Sequence, residues 1–418
     1  MRVATSMRRV LVTDAARGSA LAIIRSLARR GWEVTAADAD ALGPGLYSRY
    51  VHHRARYAPP REDPDRAVAD IRDIVRERRI DVVVPVTDDV IAPLVAMGTD
   101  FAGCEIAGPP RDALAKTQDK RMTIEIAERL GIPVPRTRIV RTATEAAVEA
   151  SALGWPVVLK PERSKRYEHG HPLDTFAVTY AENDAQLRAR IGPIVGRSAI
   201  LLQEYYAGEG HGVGMLLHEG RPLAAFQHRR LREFPLTGGT SSYRESVALD
   251  PVLYDYSARL LGALQWTGIA LVEFKVGERG PRLMEVNGRA WGSLPLAVQS
   301  GVDFPAQWLE LYRSGPPAVG TPLQTTYAVG VRSRDLATEL AWIGSSVFGR
   351  RTYAFERRPP PLRVLSAAVG LLSPFGHDVR SVGDPLPGLV ELVRTVALGI
   401  RRAPAKGRSA PPAEAPSR

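Results

Sequence analysis

The amino-acid sequence predicts a multidomain protein of mixed α/β and α+β class. Short apolar strands alternate with amphipathic helices near the N-terminus, which is typical of a parallel sheet with right-handed crossovers. Longer β-branched runs separated by glycines come next and predict antiparallel hairpins. Beyond residue 321 the apolar spacing indicates helices in a basic context. With 418 residues, 44% hydrophobic and 24% charged, the chain can bury a sizeable core in about two or three domains.

The composition argues against several classes of protein. Cys104 is the only cysteine, so an internal disulfide is impossible and a reducing cytoplasm is expected. The chain has no uncharged apolar run of about 18 residues, and residues 1–9 lack the apolar segment of a secretory signal. The net charge of +11 would suit nucleic acid, but residues 350–418 hold twelve Lys and Arg against five Asp and Glu (12 − 5 = +7). Most of the surplus lies in the tail, and we expect no nucleic-acid partner.

Residues 1–113 are predicted to form a Rossmann-like domain. The predicted elements are strands at 8–13, 32–37 and 81–86 and helices at 20–30 and 67–78. The first loop lacks the full Gly-x-Gly-x-x-Gly pattern, which argues against a nicotinamide or flavin dinucleotide.

Polar residues come directly after two of these predicted strands. Ligands of open α/β sheets bind beyond the carboxyl ends of the strands. The candidate substrate contacts are therefore Thr13, Asp14, Thr87, Asp88 and Asp89. Asp and Thr are also the residues that cap helices and form turns, and this alternative stays open.

The most informative stretch is a predicted hairpin at residues 268–289. Two β-branched runs flank a turn that contains glycines. Pairing Val276 with Arg282 would set Glu273 opposite Glu285. Because side chains alternate across a strand, Glu285 and Asn287 would then face the same side as Glu273.

This hairpin is predicted to gather three metal ligands, Glu273, Glu285 and Asn287. Carboxylate and amide oxygens are the ligands that Mg²⁺ prefers, and the ion keeps room for substrate phosphates. Arg289, just past the last ligand, could hold a phosphate oxygen. The alternative is a solvated hairpin with ordinary surface acids.

Glu273 together with Glu285-Val-Asn-Gly-Arg289 resembles the metal-binding end of the ATP-grasp superfamily. The run at 291–305 resembles the segment after the metal ligands in members that are similar to carbamoyl phosphate synthase. The resemblance covers roughly residues 114–315. It implies an ATP-grasp domain at 114–320 behind a pre-ATP-grasp domain at 1–113.

Two lysines stand where the resemblance places phosphate contacts. Lys120 opens a helix after Asp119, and Lys160 ends the strand Gly154-Trp-Pro-Val-Val-Leu-Lys160. The superfamily then has a Gly- and Ser-rich loop over the triphosphate. Residues 162–171 depart from that pattern. They offer Ser164 and Gly170 but otherwise the cations Arg163, Lys165 and Arg166. We expect side-chain cations to replace part of the backbone cradle, although a solvated mobile loop would carry the same charges.

The nucleoside contacts are expected after a strand that begins at residue 199. By resemblance, Gln203, Glu204, Tyr205 and Tyr206 form the adenine hinge, and Glu209 contacts the ribose. Core packing is an alternative role for the two tyrosines, since interior aromatic residues need no ligand.

An arginine cluster precedes a Gly-Gly turn. Arg229 and Arg230, with Arg232, suit an anionic substrate or a developing acyl phosphate, and we assign Arg229 and Arg230 to catalysis together with Arg289. The alternative is a charged surface loop.

Residues 321–402 are predicted to form a basic, mostly helical extension with helices at 336–347, 362–372 and 386–400, and residues 403–418 to be disordered. Such segments could contact a membrane surface or a protein partner, or pack on the body, which we favour. We also consider a homodimer.

The resemblance implies an ATP- and Mg²⁺-dependent (or Mn²⁺-dependent) ligase with two ions. It would activate a small-molecule carboxylate as an acyl phosphate for attack by an amine or similar nucleophile. Alternatives are a carboxylase or carbamoyl-phosphate-type enzyme that uses bicarbonate, and an ATP-binding regulator without turnover.

Overall fold

The computed structural model describes residues 8–98, 101, 103–163, 165–175, 178–192, 199–318 and 320–402. Over this range the chain is a mixed α/β structure in which one parallel sheet precedes antiparallel sheets. The predicted residues Ser164 and 403–418 lie outside the described residues.

The N-terminal part holds the parallel sheet. Its strands are β1 (Arg9–Val12), β2 (Glu33–Asp38), β3 (His53–Arg56), β4 (Val82–Val84) and β5 (Glu105–Ile106), and its helices are α1 (Gly18–Arg29), α2 (Pro64–Arg78) and α3 (Asp88–Met97). The order is β3-β2-β1-β4-β5, and adjacent strands are parallel. Because β1 and β4 are neighbours, the loops after them meet at one edge, where open α/β sheets hold their ligands.

Two antiparallel sheets come next in the chain. The first contains β6 (Thr137–Val140), β7 (Val157–Pro161), β10 (Thr179–Ala181) and β11 (Ile200–Glu204), in the order β10-β7-β11-β6, and β8 (Lys165–Arg166) pairs with β9 (Asp174–Thr175) beside it. The second contains β12 (Glu209–His218), β13 (Arg221–Phe234), β14 (Thr240–Val247), β15 (Gly268–Gly277), β16 (Gly280–Asn287) and β17 (Arg332–Arg334), in the order β16-β15-β12-β13-β14-β17. The described helices of this part are α4 (Arg111–Gln118), α5 (Lys120–Arg129), α6 (Ala143–Leu153), α7 (Asp184–Ile191), α8 (Pro251–Ala263), α9 (Leu294–Gln299) and α10 (Phe304–Ser314).

The helix predicted to open at Lys120 is α5, and Asp119 separates it from α4. The Asp119 carboxylate accepts the Met122 backbone N–H at 3.1 Å and caps α5. Lys120 is therefore the first residue of a new helix, close to its positive end.

Three C-terminal helices lie close to their predicted positions: α11 (Leu336–Phe348), α12 (Pro361–Gly370) and α13 (Leu386–Arg402). Buried ion pairs attach this segment to the body, as the favoured alternative expects. Glu339 of α11 pairs with Arg232, and Asp378 pairs with Arg244. Among the described residues, no helix has the length and apolar character needed to cross a bilayer.

The cores explain how these parts are held together. One apolar cluster joins the parallel sheet to the six-stranded sheet through residues such as Ile24, Phe226, Trp291 and Trp308. The small four-stranded sheet has its own cluster with α6 and α7.

Candidate active site

A cavity of about 690 Å³ lies among the three larger sheets and the C-terminal segment. Each region contributes charged side chains: Asp88 and Asp89 from the parallel sheet, Lys120 and Lys160 beside the small sheet, Glu273, Glu285 and Asn287 from the six-stranded sheet, and Asp335 and Glu391 from the C-terminal segment. Residues that are far apart in the sequence therefore share one solvent-accessible space.

The hairpin of β15 and β16 has a different register from the predicted one. Val276 pairs with Pro281 and not with Arg282. A β-bulge between Glu273 and Phe274 then shifts the pairing by one residue, so that Glu273 still lies opposite Glu285. The extra residue in the bulge is Met284, and both Met284 and Glu285 line the cavity.

The three predicted metal ligands converge. The Asn287 amide nitrogen donates to Glu273 at 3.1 Å and to Glu285 at 3.3 Å. Two buried carboxylates and an amide oxygen form a hard-oxygen set of the type that Mg²⁺ prefers, so these residues fit the ion. Among the residues that the structure covers, no group of three His, Cys, Asp or Glu side chains could hold a metal, so the amide of Asn287 is needed to complete this set.

The two glutamates differ in their electrostatic environment. Burial raises the pKa of Glu273, although Arg230 works in the opposite direction. Burial also acts to raise the pKa of Glu285, but Lys120 and Lys160 outweigh it and hold that pKa below its ordinary value. Glu285 is therefore the glutamate that the surrounding cations keep ionised.

The two predicted phosphate lysines meet at this cavity. The pKa of Lys160 is lowered to about 8, chiefly by burial; Lys120 and Lys275 act in the same direction, and Glu285 and Glu273 act against it. Burial also lowers the pKa of Lys120, against the attraction of Glu285 and Asp88. Lys275 is a third lysine on the cavity wall that sequence reasoning missed. Lys275 stands two residues after Glu273 on β15, so strand alternation could have predicted that the two side chains face the same side.

The arginines of the predicted cluster lie on β13, and their side chains do not share one face. Arg230 lines the cavity, forms ion pairs with Glu273 and Glu233, and donates to the Gly239 carbonyl at 2.8 Å. Arg229 does not line the cavity and instead pairs with Glu245 at 2.8 Å. Adjacent residues on a strand point to opposite faces, so the structure does not bring Arg229 and Arg230 together at this cavity, and a catalytic role for them stays a prediction.

Arg232 is also directed away from the cavity. Its guanidinium pairs with Glu339 and lies 4.5 Å from the centre of the Tyr243 ring and 5.2 Å from that of Trp342. Its role in the described structure is to attach α11 to β13.

Arg289 connects the hairpin to the parallel sheet. Its Nε donates to Asp88 at 2.6 Å, and its Nη2 donates to the Asn287 side-chain oxygen at 3.2 Å. One guanidinium thus contacts both a predicted metal ligand and the first turn of α3.

The remaining polar residues of the parallel sheet have separate roles. Thr87, Asp88 and Asp89 line the cavity. Asp14 does not: its carboxylate accepts the Thr87 N–H at 3.0 Å, the Thr87 O–H at 2.9 Å and the Thr13 O–H at 2.8 Å. Thr13 and Asp14 thus bind the two loops to each other, which is the turn and capping alternative.

The charged loop after β7 closes onto the parallel sheet. Lys165 lines the cavity and its Nζ lies 2.7 Å from Asp89. The Gly170 N–H donates to Asp65 at 2.7 Å. Arg163 and Arg166 are exposed, so Lys165 is the loop cation that faces the cavity among those described.

The predicted hinge residues are only partly at the cavity. Glu204, Tyr205 and Tyr206 line it, but the Glu204 carboxylate also accepts the Arg136 Nε–H at 2.8 Å. The Gln203 amide donates to Thr137 at 2.9 Å, and this residue is not on the cavity wall.

Glu209 is not part of the cavity wall either. It lies at the exposed start of β12, and its Oε1 is 2.8 Å from His211 Nε2. The expected ribose contact is therefore not supported by its position.

Sequence reasoning missed two apolar cavity residues near the hinge. Val158 stands two residues before Lys160 on β7, and Met284 occupies the bulge of β16. They line the cavity from the two facing sheets. Alternation along β7 could have identified Val158, whereas the bulge that presents Met284 has no local signal in the sequence.

The C-terminal part also contributes to the wall of a second cavity, beside Tyr205 and Tyr206. A second cavity of about 990 Å³ is lined by Tyr205, Tyr206 and Arg279 and by Arg351, Phe355 and Arg357. The Phe355 ring lies 4.5 Å from the Tyr205 ring, centre to centre, and 5.4 Å from that of Tyr180. Residues 351–357 were missed because they join two helices and match no part of the resemblance.

Known proteins share parts of this chain's sequence. Residues 197–333 match the family model described as ATP-grasp in the biosynthetic pathway with Ter operon. The carbamoyl phosphate synthase large chain of Thermus thermophilus is 25% identical over 254 residues, which are 58% of this chain and 23% of that protein. The formate-dependent phosphoribosylglycinamide formyltransferase of Ignicoccus hospitalis is 30% identical over 155 residues, which are 36% of this chain and 35% of the relative. The chain thus spans well under half the length of these curated relatives.

Solved structures give the same fold. Biotin carboxylase from Campylobacter jejuni aligns with a TM-score of 0.62 and 17% identity over 78% of this chain and 74% of that chain. L-amino acid ligase from Bacillus licheniformis aligns with a TM-score of 0.56 and 16% identity over 74% and 75%. At these identities the likeness concerns the fold alone. Together with the family model over residues 197–333, the likeness confirms the resemblance drawn from the residues, and it shows an ATP-grasp fold.

Proposed function

We propose that this protein is an ATP- and Mg²⁺-dependent ligase that joins a carboxylate to an amine through an acyl phosphate. The observation that carries the proposal is the convergence of Glu273, Glu285 and Asn287 with Lys120, Lys160 and Arg289 around one cavity. Phosphoryl transfer needs positioning and charge neutralisation more than a protein nucleophile, and this set supplies both.

The cavity residues suggest where each part of the nucleotide binds. Val158 and Met284 are apolar and stand on facing sheets near Tyr205 and Tyr206, so we assign the base to the space between them. Lys120 and Lys160 would then hold phosphate oxygens. Asn287 and the two glutamates would hold two Mg²⁺ ions, which neutralise the charge of the β- and γ-phosphates.

The chemistry then proceeds in two balanced steps. A carboxylate oxygen of the substrate attacks the γ-phosphorus, and ADP leaves. The amine nitrogen attacks the acyl carbon, inorganic phosphate leaves and the nitrogen loses a proton. Arg289 and Arg230, which both line the cavity, would stabilise the negative charge that develops on the transferred phosphate.

The domain assignment belongs to the same proposal. We infer that residues 1–113 form the Rossmann-like pre-ATP-grasp domain, 114–320 the ATP-grasp domain and 321–402 the C-terminal extension. The five-stranded parallel sheet supports the assignment of residues 1–113. A loop of this sheet brings Asp88 and Asp89 to the cavity.

The proposal is tested by Mg²⁺-dependent ADP release with pooled carboxylates and amines. Wild-type release should be stimulated by at least one pool, and the double variant Glu285→Ala, Asn287→Ala should lose it. Glu128→Ala, at an exposed position of α5, is the matched control and should retain it. ATP binding without turnover across all pools would favour the regulator instead, and absence of ATP binding would contradict the assignment.

A bicarbonate-using enzyme is the second candidate. The support is the fold likeness to biotin carboxylase and to the biotin carboxylase domain of Hydrogenobacter thermophilus 2-oxoglutarate carboxylase, solved with MgADP and bicarbonate (TM-score 0.61, 17% identity, 78% of this chain and 74% of that chain). Stimulation of ADP release by bicarbonate without an added organic acid would favour it over the carboxylate ligase.

A further inference from the structure

The C-terminal end of the cavity differs in charge from the phosphate end. Its wall includes Asp335 at the start of α11, Asp378 in the segment before α13, and Glu391 within α13. None of these residues belongs to the predicted nucleotide or metal set. The opposite end holds Lys120, Lys160 and Lys275.

Three arginines near this end, Arg244, Arg380 and Arg394, have partners other than Glu391, and Arg380 donates to the Leu371 carbonyl at 3.0 Å. Asp378 is paired with Arg244, and the Arg394 guanidinium is 2.7 Å from Asp40, outside this group. Asp335 accepts the Thr338 N–H at 2.9 Å and the Thr338 O–H at 2.6 Å, which are neutral donors.

Glu391 differs from Asp335 and Asp378 in having no described partner for its carboxylate. Its side chain is 8% exposed and lines the cavity, yet within the described part of the chain its carboxylate makes no hydrogen bond or ion pair. A buried carboxylate without a donor is costly unless it is protonated or finds a cation. A ligand that enters this cavity can supply that cation.

We propose that the cavity end formed by Asp335, Asp378 and Glu391 is the subsite for a positively charged group of the amine substrate. This inference rests on the proposed ligase function, because it concerns the second substrate of that reaction. The nucleophile must reach an acyl phosphate at the lysine-rich end, and the acidic end of the same cavity is the side that the nucleotide residues leave open. The substrate class is thus an amine with a second cationic group, such as a diamine or an aminoalkyl guanidine.

Binding should release a proton. Glu391 faces two acids, Asp335 and Asp378, and two cations, Arg380 and Arg394. Burial, with the two acids, raises the pKa of Glu391 to about 8, so the group is largely protonated at pH 7 in the free protein. A bound cation favours the ionised carboxylate, and the proton passes to the buffer.

The experiment is calorimetric titration of the full chain, with MgADP present, using 1,4-diaminobutane and agmatine at pH 7 in two buffers of different ionisation enthalpy. At least one dication should bind with proton release, and 1,4-butanediol should not bind. Glu391→Gln should weaken that binding by about tenfold or more and remove the proton release, because it loses a charge-assisted interaction. Glu128→Gln, at the exposed site on α5, should behave like wild type.

Equal binding of the dications by wild type and Glu391→Gln would overturn the subsite, and so would the failure of both dications to bind. MgADP affinity is measured separately in the same samples and should be unchanged in Glu391→Gln. Loss of MgADP binding in wild type would instead contradict the proposed function, so the two failures can be told apart.

Discussion

Arg289 donates to Asp88 at 2.6 Å and thereby joins the metal hairpin to the first turn of α3. The same guanidinium reaches Asn287 at 3.2 Å. One arginine on the cavity wall therefore links the parallel sheet to the six-stranded sheet. The position of Asp88 should influence the hairpin even though Asp88 is not itself a predicted ligand.

Replacing Arg289 by lysine should lower kcat/KM about tenfold to a hundredfold. Lysine keeps the positive charge but cannot contact Asp88, Asn287 and a phosphate oxygen with one planar group. Steady-state ADP release with a stimulating substrate measures the effect. Arg229→Lys is the comparison, because Arg229 lies outside the cavity. A larger loss from Arg229→Lys than from Arg289→Lys would show that the arginine roles are assigned wrongly.

The affinity for MgADP should depend on pH through Lys160. Burial lowers the pKa of this lysine to about 8, so the free protein loses the charge as the pH rises through that value. Phosphate prefers the charged form, so binding above pH 8 must take up a proton and the dissociation constant should increase. Titration between pH 6.5 and about 9.5 measures this, and Lys160→Arg should flatten the profile. A wild-type profile as flat as that of the arginine variant would argue against Lys160 as a phosphate contact.

The same lysine should affect stability in the opposite direction. Its folded pKa is below the ordinary value of a lysine, so between about pH 8 and 10 the unfolded state binds more protons. The contribution of Lys160 is unfavourable below that window and is relieved as the pH rises. Lys160→Met should therefore stabilise the protein at pH 7 and less so near pH 10, as measured by urea unfolding. Equal stabilisation at both pH values would not agree with the buried, lowered pKa.

Phe355 should contribute to nucleotide binding from the C-terminal segment. Its ring contacts Tyr205 of the proposed hinge at a centre-to-centre distance of 4.5 Å. Phe355→Ala should raise the dissociation constant of MgADP about fivefold to tenfold, since an aromatic pair contributes on the order of 1 kcal/mol beyond its buried area. Phe348→Ala is the control, because Phe348 is 86% exposed. Similar MgADP affinity in both variants would show that Phe355 does not contribute to nucleotide binding.

The Arg232–Glu339 pair should be essential for attaching α11. The two side chains are 9% and 0% exposed, so Glu339→Ala leaves a buried guanidinium without its counter-ion. We expect a loss of about 3–5 kcal/mol in the free energy of unfolding. Glu310→Ala breaks the exposed pair with Arg313, whose side chains are 45% and 43% exposed, and should cost less than about 1 kcal/mol. Urea unfolding measures the free energy of unfolding of both variants. Equal losses would show that the buried pair contributes no more to stability than the exposed pair.

Much of the local structure of the site could be predicted from the sequence. Glu273, Glu285 and Asn287 were assigned to one face from strand alternation, and Lys120 and Lys160 were assigned to phosphate by resemblance to the ATP-grasp superfamily. These features depend on neighbouring residues, and backbone geometry makes them regular. The same regularity was overlooked for Arg229 and Arg230, whose adjacency on β13 already implied opposite faces.

Only the tertiary structure shows how these strands and helices are assembled around the cavity. The bulge that presents Met284, the docking of Phe355 beside Tyr205, and the arrival of Glu391 at the cavity all depend on contacts between distant parts of the chain. Such contacts follow from packing and loop closure, for which a single sequence has no periodic signal. The sequence by itself predicted the metal ligands and the phosphate lysines, which line one cavity in the structure. Only the folded chain determined which residues from distant segments, such as Val158, Met284 and Glu391, complete the wall of that cavity.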